Sequence, residues 1–167
     1  MTAPPLRQRF VDSLGFAPDD FQVEALDAVD EGVDVLVSAP TGSGKTLVAT
    51  YAISRAMAAG VRSFYTTPLK ALSNQKYHEL GRLFGPERVG LLTGDTSINR
   101  DAEVVVMTTE VLRNMLLTDS SQIGSLGLVV LDEVHYLQDP FRGGVWEEVL
   151  ILTPGAVRFV ALSATIG

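Results

Sequence analysis

The sequence predicts an α/β fold: a parallel β-sheet with helices on both faces. Three observations lead there. Short apolar, β-branched segments alternate with helical ones along most of the 167 residues. The segment Leu126–Leu131 is almost continuously apolar, as a strand buried between two helix layers must be. A glycine-rich turn over 39–46 stands between a strand and a helix. In sheets of this kind ligands sit at the carboxyl ends of the strands. The polar clusters of this chain all follow strands, so they are expected to form one site.

Taken in order, Val33–Ser38 reads as a strand that runs into the glycine turn. Thr46–Ala59 is an Ala-rich helix stopped by Gly60. Arg62–Thr67 reads as a strand, and Lys70–Phe84 as a helix ended near Gly85-Pro86. Arg88–Thr93 and Glu103–Met107 are short strands. Glu110–Leu117 is a helix capped by Thr108 or Thr109. After the strand Leu126–Leu131, Val145–Leu152 is a helix halted before Pro154, and Val157–Leu162 is a last buried strand.

Composition narrows the function. With 46% hydrophobic residues the chain can bury a full core. It has no cysteine, which removes disulfide frameworks and Cys-based metal sites. No apolar run approaches the roughly 20 residues that span a bilayer. The start, Met1 to Arg7, lacks the apolar block of a signal peptide, so a cytoplasmic location is expected. The net charge of −7 argues against gripping nucleic acid by bulk positive charge. Any such contact must come from particular loops.

The stretch Ala39-Pro40-Thr41-Gly42-Ser43-Gly44-Lys45-Thr46 has the spacing of a phosphate-binding P-loop, G-x-x-x-x-G-K-[ST], with Ala39 in place of the first glycine. Gly42 and Gly44 let the backbone curl and aim N–H groups at phosphate oxygens, and the helix N-terminus adds its dipole. Lys45 can reach the β- and γ-phosphates, and the Thr46 hydroxyl can ligate Mg²⁺. The expected ligand is a purine nucleoside triphosphate, ATP with Mg²⁺. A plain Gly-rich turn with a surface lysine would not need the strand–loop–helix setting.

The strand Leu126–Leu131 runs into Asp132-Glu133-Val134-His135. Asp132 is placed to hold Mg²⁺ through water, and Glu133 to orient or deprotonate an attacking water. Adjacent carboxylates repel, but one can face a metal and the other a water. His135, near the γ-phosphate position, is expected to link elements of the site. His78, mid-helix beside Tyr77 and Glu79, reads as a surface or packing residue.

Together these motifs resemble a known family. Ala39–Thr46, Thr67–Lys76, Thr93-Gly94-Asp95, Thr108-Thr109-Glu110, Asp132–His135 and Ser163-Ala164-Thr165 follow the order of helicase motifs I, Ia, Ib, Ic, II and III. The chain resembles the first RecA-like domain of a superfamily 2 helicase over about 14–167, with 1–13 as an N-terminal extension. Asp132–His135, Ser73-Asn74-Gln75-Lys76-Tyr77 and the stretch from Arg142-Gly143 to Glu148 are most similar to the superkiller-type RNA helicases, the DEVH-box branch that includes the exosome helicases.

The resemblance implies further roles. Phe16 would stack on the base and Gln22 would bond the adenine edge, as in the family's Q motif. A bland alternative makes Phe16 and Phe21 core aromatics. Pro68, Lys70, Thr93, Gly94, Thr108 and Thr109 would hold the phosphate–sugar backbone of a single strand, RNA by this branch, without reading sequence. Arg113 would add a contact or simply be an exposed helix residue. Asp95 and Glu110 would cap or orient loops. Ser163 and Thr165 would bond toward the Asp132–His135 strand end and couple hydrolysis to strand movement. Trp146 would anchor packing, and Glu147 and Glu148 would face solvent or basic groups.

The family also uses a second RecA-like domain with an arginine finger on the γ-phosphate. No such motif follows Thr165 here, so the chain is expected to be one part of a longer helicase, weak or inactive alone. Direction, 3′-to-5′, is implied by the resemblance alone. Competing readings are a DNA helicase of the related repair type and a nucleotide-gated binding module without useful turnover. A nucleotide kinase would need substrate-phosphate arginines that the chain lacks.

Overall fold

The computed structural model describes residues 5–40, 42, 44–118, 120–134 and 145–164. The expected Thr41, Ser43, His135 and Thr165 lie outside these residues.

The elements run α1 (Leu6–Ser13), α2 (Asp20–Asp30), β1 (Val35–Ser38), α3 (Thr46–Ala58), β2 (Arg62–Thr67), α4 (Lys70–Phe84), β3 (Val89–Leu92), β4 (Ser97–Ile98), β5 (Val104–Thr108), α5 (Thr109–Thr118), β6 (Leu126–Leu131), α6 (Val145–Leu152) and β7 (Arg158–Ser163). Among the described residues the strands form one sheet in the order β1-β7-β6-β2-β5-β3-β4. Every pairing is parallel except β3–β4. This is the α/β sheet, covered on both faces, that the sequence predicts.

Strand alternation divides the core in two. Tyr65, Val104, Val106 and Val130 point to the face covered by α2, α3 and α4, where Ala25, Ile53 and Leu80 meet them. Phe64, Val105, Met107 and Val129 point to the other face, against Leu112 and Met115 of α5 and Val149 of α6. Both faces are apolar, which explains why the strands read as continuous hydrophobic runs. Trp146 lines an apolar groove on that second face with Leu131, Leu150 and Phe159, a packing position.

β2, α4, β6 and α6 have the predicted bounds. β1 starts two residues later than expected, because Val33 is exposed and outside the ladder. The small edge strand β4 is added by antiparallel bonding to β3. Two helices lie upstream of β1. α2 opens on a capping box, with Asp19 and Gln22 satisfying each other's backbone N–H groups. α1, in the expected N-terminal extension, docks on α2 and α3. Arg7 donates to Asp27 at 2.6 Å and to Asp30 at 2.8 Å. Phe10 and Tyr51 rings stand 5.0 Å apart. Asp30 also accepts from Arg55 at 2.8 Å and from the Tyr51 hydroxyl at 2.5 Å.

Candidate functional site

The carboxyl edge of the sheet carries two groups of residues. On the β1–β7–β6 side lies the phosphate loop. The Ala39 N–H donates to the Ser163 carbonyl at 3.1 Å, so the loop leaves the sheet fastened to β7. Gly42 and Gly44 have φ of 86° and 87°, a region that disfavours side chains. Ala39 has no positive φ, and alanine therefore replaces the first glycine of the motif without backbone strain. Thr46 is the first residue of α3, with Lys45 as its cap position.

Lys45 is 7% exposed, and its ammonium donates to the Ala39 carbonyl at 3.3 Å. A buried cation needs compensation, and the one bond seen among the described residues, long and to a neutral carbonyl, supplies little. The curled backbone and this cation fit the phosphates of a nucleotide. Gln22 supports the loop from below. Its amide accepts from Asp19 N at 2.8 Å and donates to the Gly44 carbonyl at 3.0 Å. A Cβ at Gly44 would lie 2.6 Å from Gln22 Nε2. Each end of the amide is thus used once, leaving one N–H and one lone pair for an adenine edge. Phe16 is 56% exposed, which removes the core-aromatic alternative for it, whereas Phe21 packs against the core.

Asp132 follows β6, two strands from the loop and so about 10 Å across the sheet. It is buried, and both its oxygens are engaged. Oδ2 accepts from the Tyr65 hydroxyl at 2.5 Å and Oδ1 from Glu133 N at 2.8 Å. Its own N–H donates to the Thr66 carbonyl at 2.9 Å, which continues the β6–β2 ladder past the end of β6. Burial, then the charge and hydrogen bond of Asp132, raise the Tyr65 phenol well above its ordinary pKa, so it is a donor at neutral pH. Glu133 has φ of 54°, the left-handed region, so the chain turns sharply there and separates the two carboxylates.

Of the bond expected from Ser163 toward Asp132–His135, the His135 end lies outside the described residues, and within them no bond reaches Asp132 from Ser163. Its hydroxyl lies 3.5 Å from its neighbour Ala164 O. Register explains this: Ser163 pairs with Ser38 of β1, and its carbonyl is spent on Ala39. Among the described residues its tie to the site is through the phosphate loop.

On the β2–β5–β3 side lies a groove of about 460 Å³. The loop after β2 supplies Pro68 and Lys70, the loop after β3 supplies Thr93 and Gly94, and β5 and α5 supply Thr108, Thr109 and Arg113. All seven residues expected to touch a strand thus line one groove, which the N-termini of α4 and α5 also reach. Thr109 is buried, and among the described residues its hydroxyl has no hydrogen-bond partner. Thr108 Oγ1 accepts from Val111 N at 3.3 Å and caps α5. Lys70 is ion-paired with Asp95, which also accepts from Thr93 at 3.0 Å and Thr96 at 3.3 Å. These bonds, the one from Lys70 foremost, lower the Asp95 pKa and fit the loop-orienting role expected of it. Arg113 Nε is 3.9 Å from Glu148, on α6. Glu148 therefore faces a basic group, as expected.

Sequence reasoning missed Tyr65. Its position in mid-strand beside Phe64 read as core, and only the register of β2 against β6 brings it to Asp132.

Comparison with known proteins agrees with this geometry. The family described as DEAD/DEAH box helicase matches residues 19–167. Probable helicase HelY of Mycobacterium leprae is 58% identical over 158 residues, covering 95% of this chain and 17% of the relative. The ATP-dependent RNA helicase mtr4 of Schizosaccharomyces pombe is 50% identical over 151 residues, covering 90% of this chain and 13% of the relative. Among solved structures, helicase Lhr of Mycobacterium smegmatis, bound to ssDNA and AMP-PNP, is 30% identical with a TM-score of 0.76, covering 98% of this chain and 25% of that one. The chain spans less than a fifth of the length of these curated relatives.

Proposed function

Because the chain belongs to the DEAD/DEAH box helicase family, we propose that it is the ATP-binding domain of an ATP-dependent RNA helicase that moves 3′-to-5′ along a single strand. In this reading residues 14–167 form the first RecA-like domain, and a second such domain closes over the γ-phosphate. The observation that carries it is the arrangement of the sheet edge. A phosphate cradle and a groove lined by helix N-termini stand side by side, and the strands beneath them are hydrogen-bonded together.

Lys45 and the backbone of 39–46 hold the β- and γ-phosphates. Thr46 and Asp132 hold Mg²⁺, which when bound neutralises charge developing on the phosphates. Glu133 orients the attacking water. Phe16 and Gln22 receive the adenine. The groove holds phosphates by hydroxyls, N–H groups and Arg113, which requires little net positive charge. RNA is favoured because the mtr4 relative, half identical to this chain, is named an RNA helicase. A cytoplasmic site of action accords with the chain's reading; among the described residues no helix is long and apolar enough to cross a membrane.

The test is ATP hydrolysis by the protein in its full natural length, with matched RNA and DNA oligonucleotides. RNA should stimulate turnover, and Lys45→Ala should abolish it. A second reading, a DNA helicase, is favoured by the Lhr structure bound to ssDNA. Stimulation by DNA alone would replace the first reading with the second. No stimulation by either leaves only a nucleotide-gated binding module.

A further inference from the structure

The two halves of the sheet edge meet where β6 lies beside β2; the Thr66 hydroxyl donates to the Val130 carbonyl across that joint at 2.9 Å, and one bond between two side chains crosses it. Tyr65 pairs with Val130 in the ladder. Side chains two apart on a strand share a face, so Tyr65, Val130 and Asp132 point the same way. Asp132 lies about 7 Å further along. A phenylalanine would serve the apolar cluster of Ile53, Val106 and Val130 equally well. The hydroxyl is what reaches the carboxylate, at 2.5 Å. With Glu133 N on the other oxygen, the plane of the Asp132 carboxylate is set from both sides.

We infer that Tyr65 is a positioning residue for the divalent cation of bound nucleotide: its hydroxyl fixes the rotamer in which Asp132 meets the metal's water shell. This rests on the reading of Asp132 as a metal-site carboxylate. Tyr65 itself touches neither nucleotide nor metal. Partners of this kind hold a ligand in the geometry the metal needs, and losing one costs about 10–100-fold in metal affinity. Asp132 acts through water, so the effect belongs at the lower end. Tyr65 is also one residue from Thr66, whose carbonyl receives Asp132 N, and three from Pro68 of the groove. Among the described residues the carboxylate is thus held by the strand end that leads into the groove and by its own next residue.

The experiment is binding of a fluorescent ATP analogue, titrated with Mg²⁺, to wild type, Tyr65→Phe and Asp132→Asn. Tyr65→Phe keeps the ring, and affinity without Mg²⁺ reports whether the loop is intact. The expected result is an unchanged Mg²⁺-free affinity with a Mg²⁺ midpoint about tenfold higher. Asp132→Asn should lose most of the Mg²⁺ enhancement. If Tyr65→Phe keeps the wild-type midpoint while Asp132→Asn loses its response, the positioning role is overturned and the reading of Asp132 stands. If Asp132→Asn responds to Mg²⁺ like wild type, both fall. A Tyr65→Phe variant that loses affinity equally with and without Mg²⁺ shows a general support of the fold and also overturns the inference.

Discussion

Replacing Gly44 by alanine should destabilise the protein by about 1–2.5 kcal/mol, and the structure divides that cost. Gly44 has φ of 87°, where an L-residue is strained by about 1–2 kcal/mol. Its new Cβ would lie 2.6 Å from Gln22 Nε2. That nitrogen is the end of a flexible side chain, so it can move, but moving it breaks the bond to the Gly44 carbonyl and disturbs the one from Asp19 N. A net hydrogen bond is worth about 1 kcal/mol. The lower entropy of the unfolded alanine chain returns about 0.4–1 kcal/mol. Gly42 supplies the control. Its φ is 86°, yet nothing lies within 4 Å of its would-be Cβ. Gly42→Ala should therefore cost about 1 kcal/mol or less, and the difference between the two variants measures the Gln22 contact. Denaturant unfolding of both variants, with and without Gln22→Ala, separates the strain from the contact. In the Gln22→Ala background the two glycine substitutions should cost the same. Equal costs for Gly42→Ala and Gly44→Ala in the wild-type background would refute the claim that Gln22 props the loop.

Three further outcomes follow from other parts of the molecule. Burial and the neighbouring Asp30 push the Tyr51 phenol up to about 12. A folded pKa raised above the unfolded value of 10 gives stability that is full below pH 10 and lost as pH rises toward about 12, so Tyr51→Phe should flatten that alkaline decline in denaturant midpoints. Deleting residues 1–13 removes the Phe10–Tyr51 ring contact and two partly exposed ion pairs of Arg7. Such contacts are worth about 1 kcal/mol or less each, so the truncated chain should lose about 1–2 kcal/mol; an unchanged melting curve would show that α1 is a passive tail. Arg113→Ala should weaken single-strand binding equally for all sequences and reduce the salt slope by about 0.7, and an unaltered slope would remove Arg113 from the phosphate contacts.

The legible parts of this protein were those written in local pattern. β6 is apolar but for Gly127, β2 is set off by Gly60 before it and Pro68 after it, and α4 ends on Gly85, whose φ is 101°. The motif residues from the phosphate loop onward could be placed because each group follows a strand of the sheet. α2 carried a readable signal, Asp19 three residues before Gln22, but its acidic face obscured the apolar one. β4 is two residues long and exists only through its bonds to β3. The partners of Asp132 depend on the register of strands that are over 60 residues apart in sequence. No local pattern encodes that register.

The same distinction bears on how an acidic chain can hold a polyanion. Lys70 is one of the few cations at the groove, and the structure pairs it with Asp95, which offsets its charge locally. Beside the acidic Glu110, the groove offers Arg113, partly directed to Glu148, and the N-termini of α4 and α5 with the hydroxyls of Thr93 and Thr108. These are dipoles and N–H groups fixed by backbone geometry, which attract phosphate at short range and little beyond it. Asp95 then has a definite role: its bonds to Thr93 and Thr96 shape the loop after β3, while its ion pair holds the first residue of α4 in place. With contacts of that kind, the net charge of −7 does not exclude the proposed strand binding.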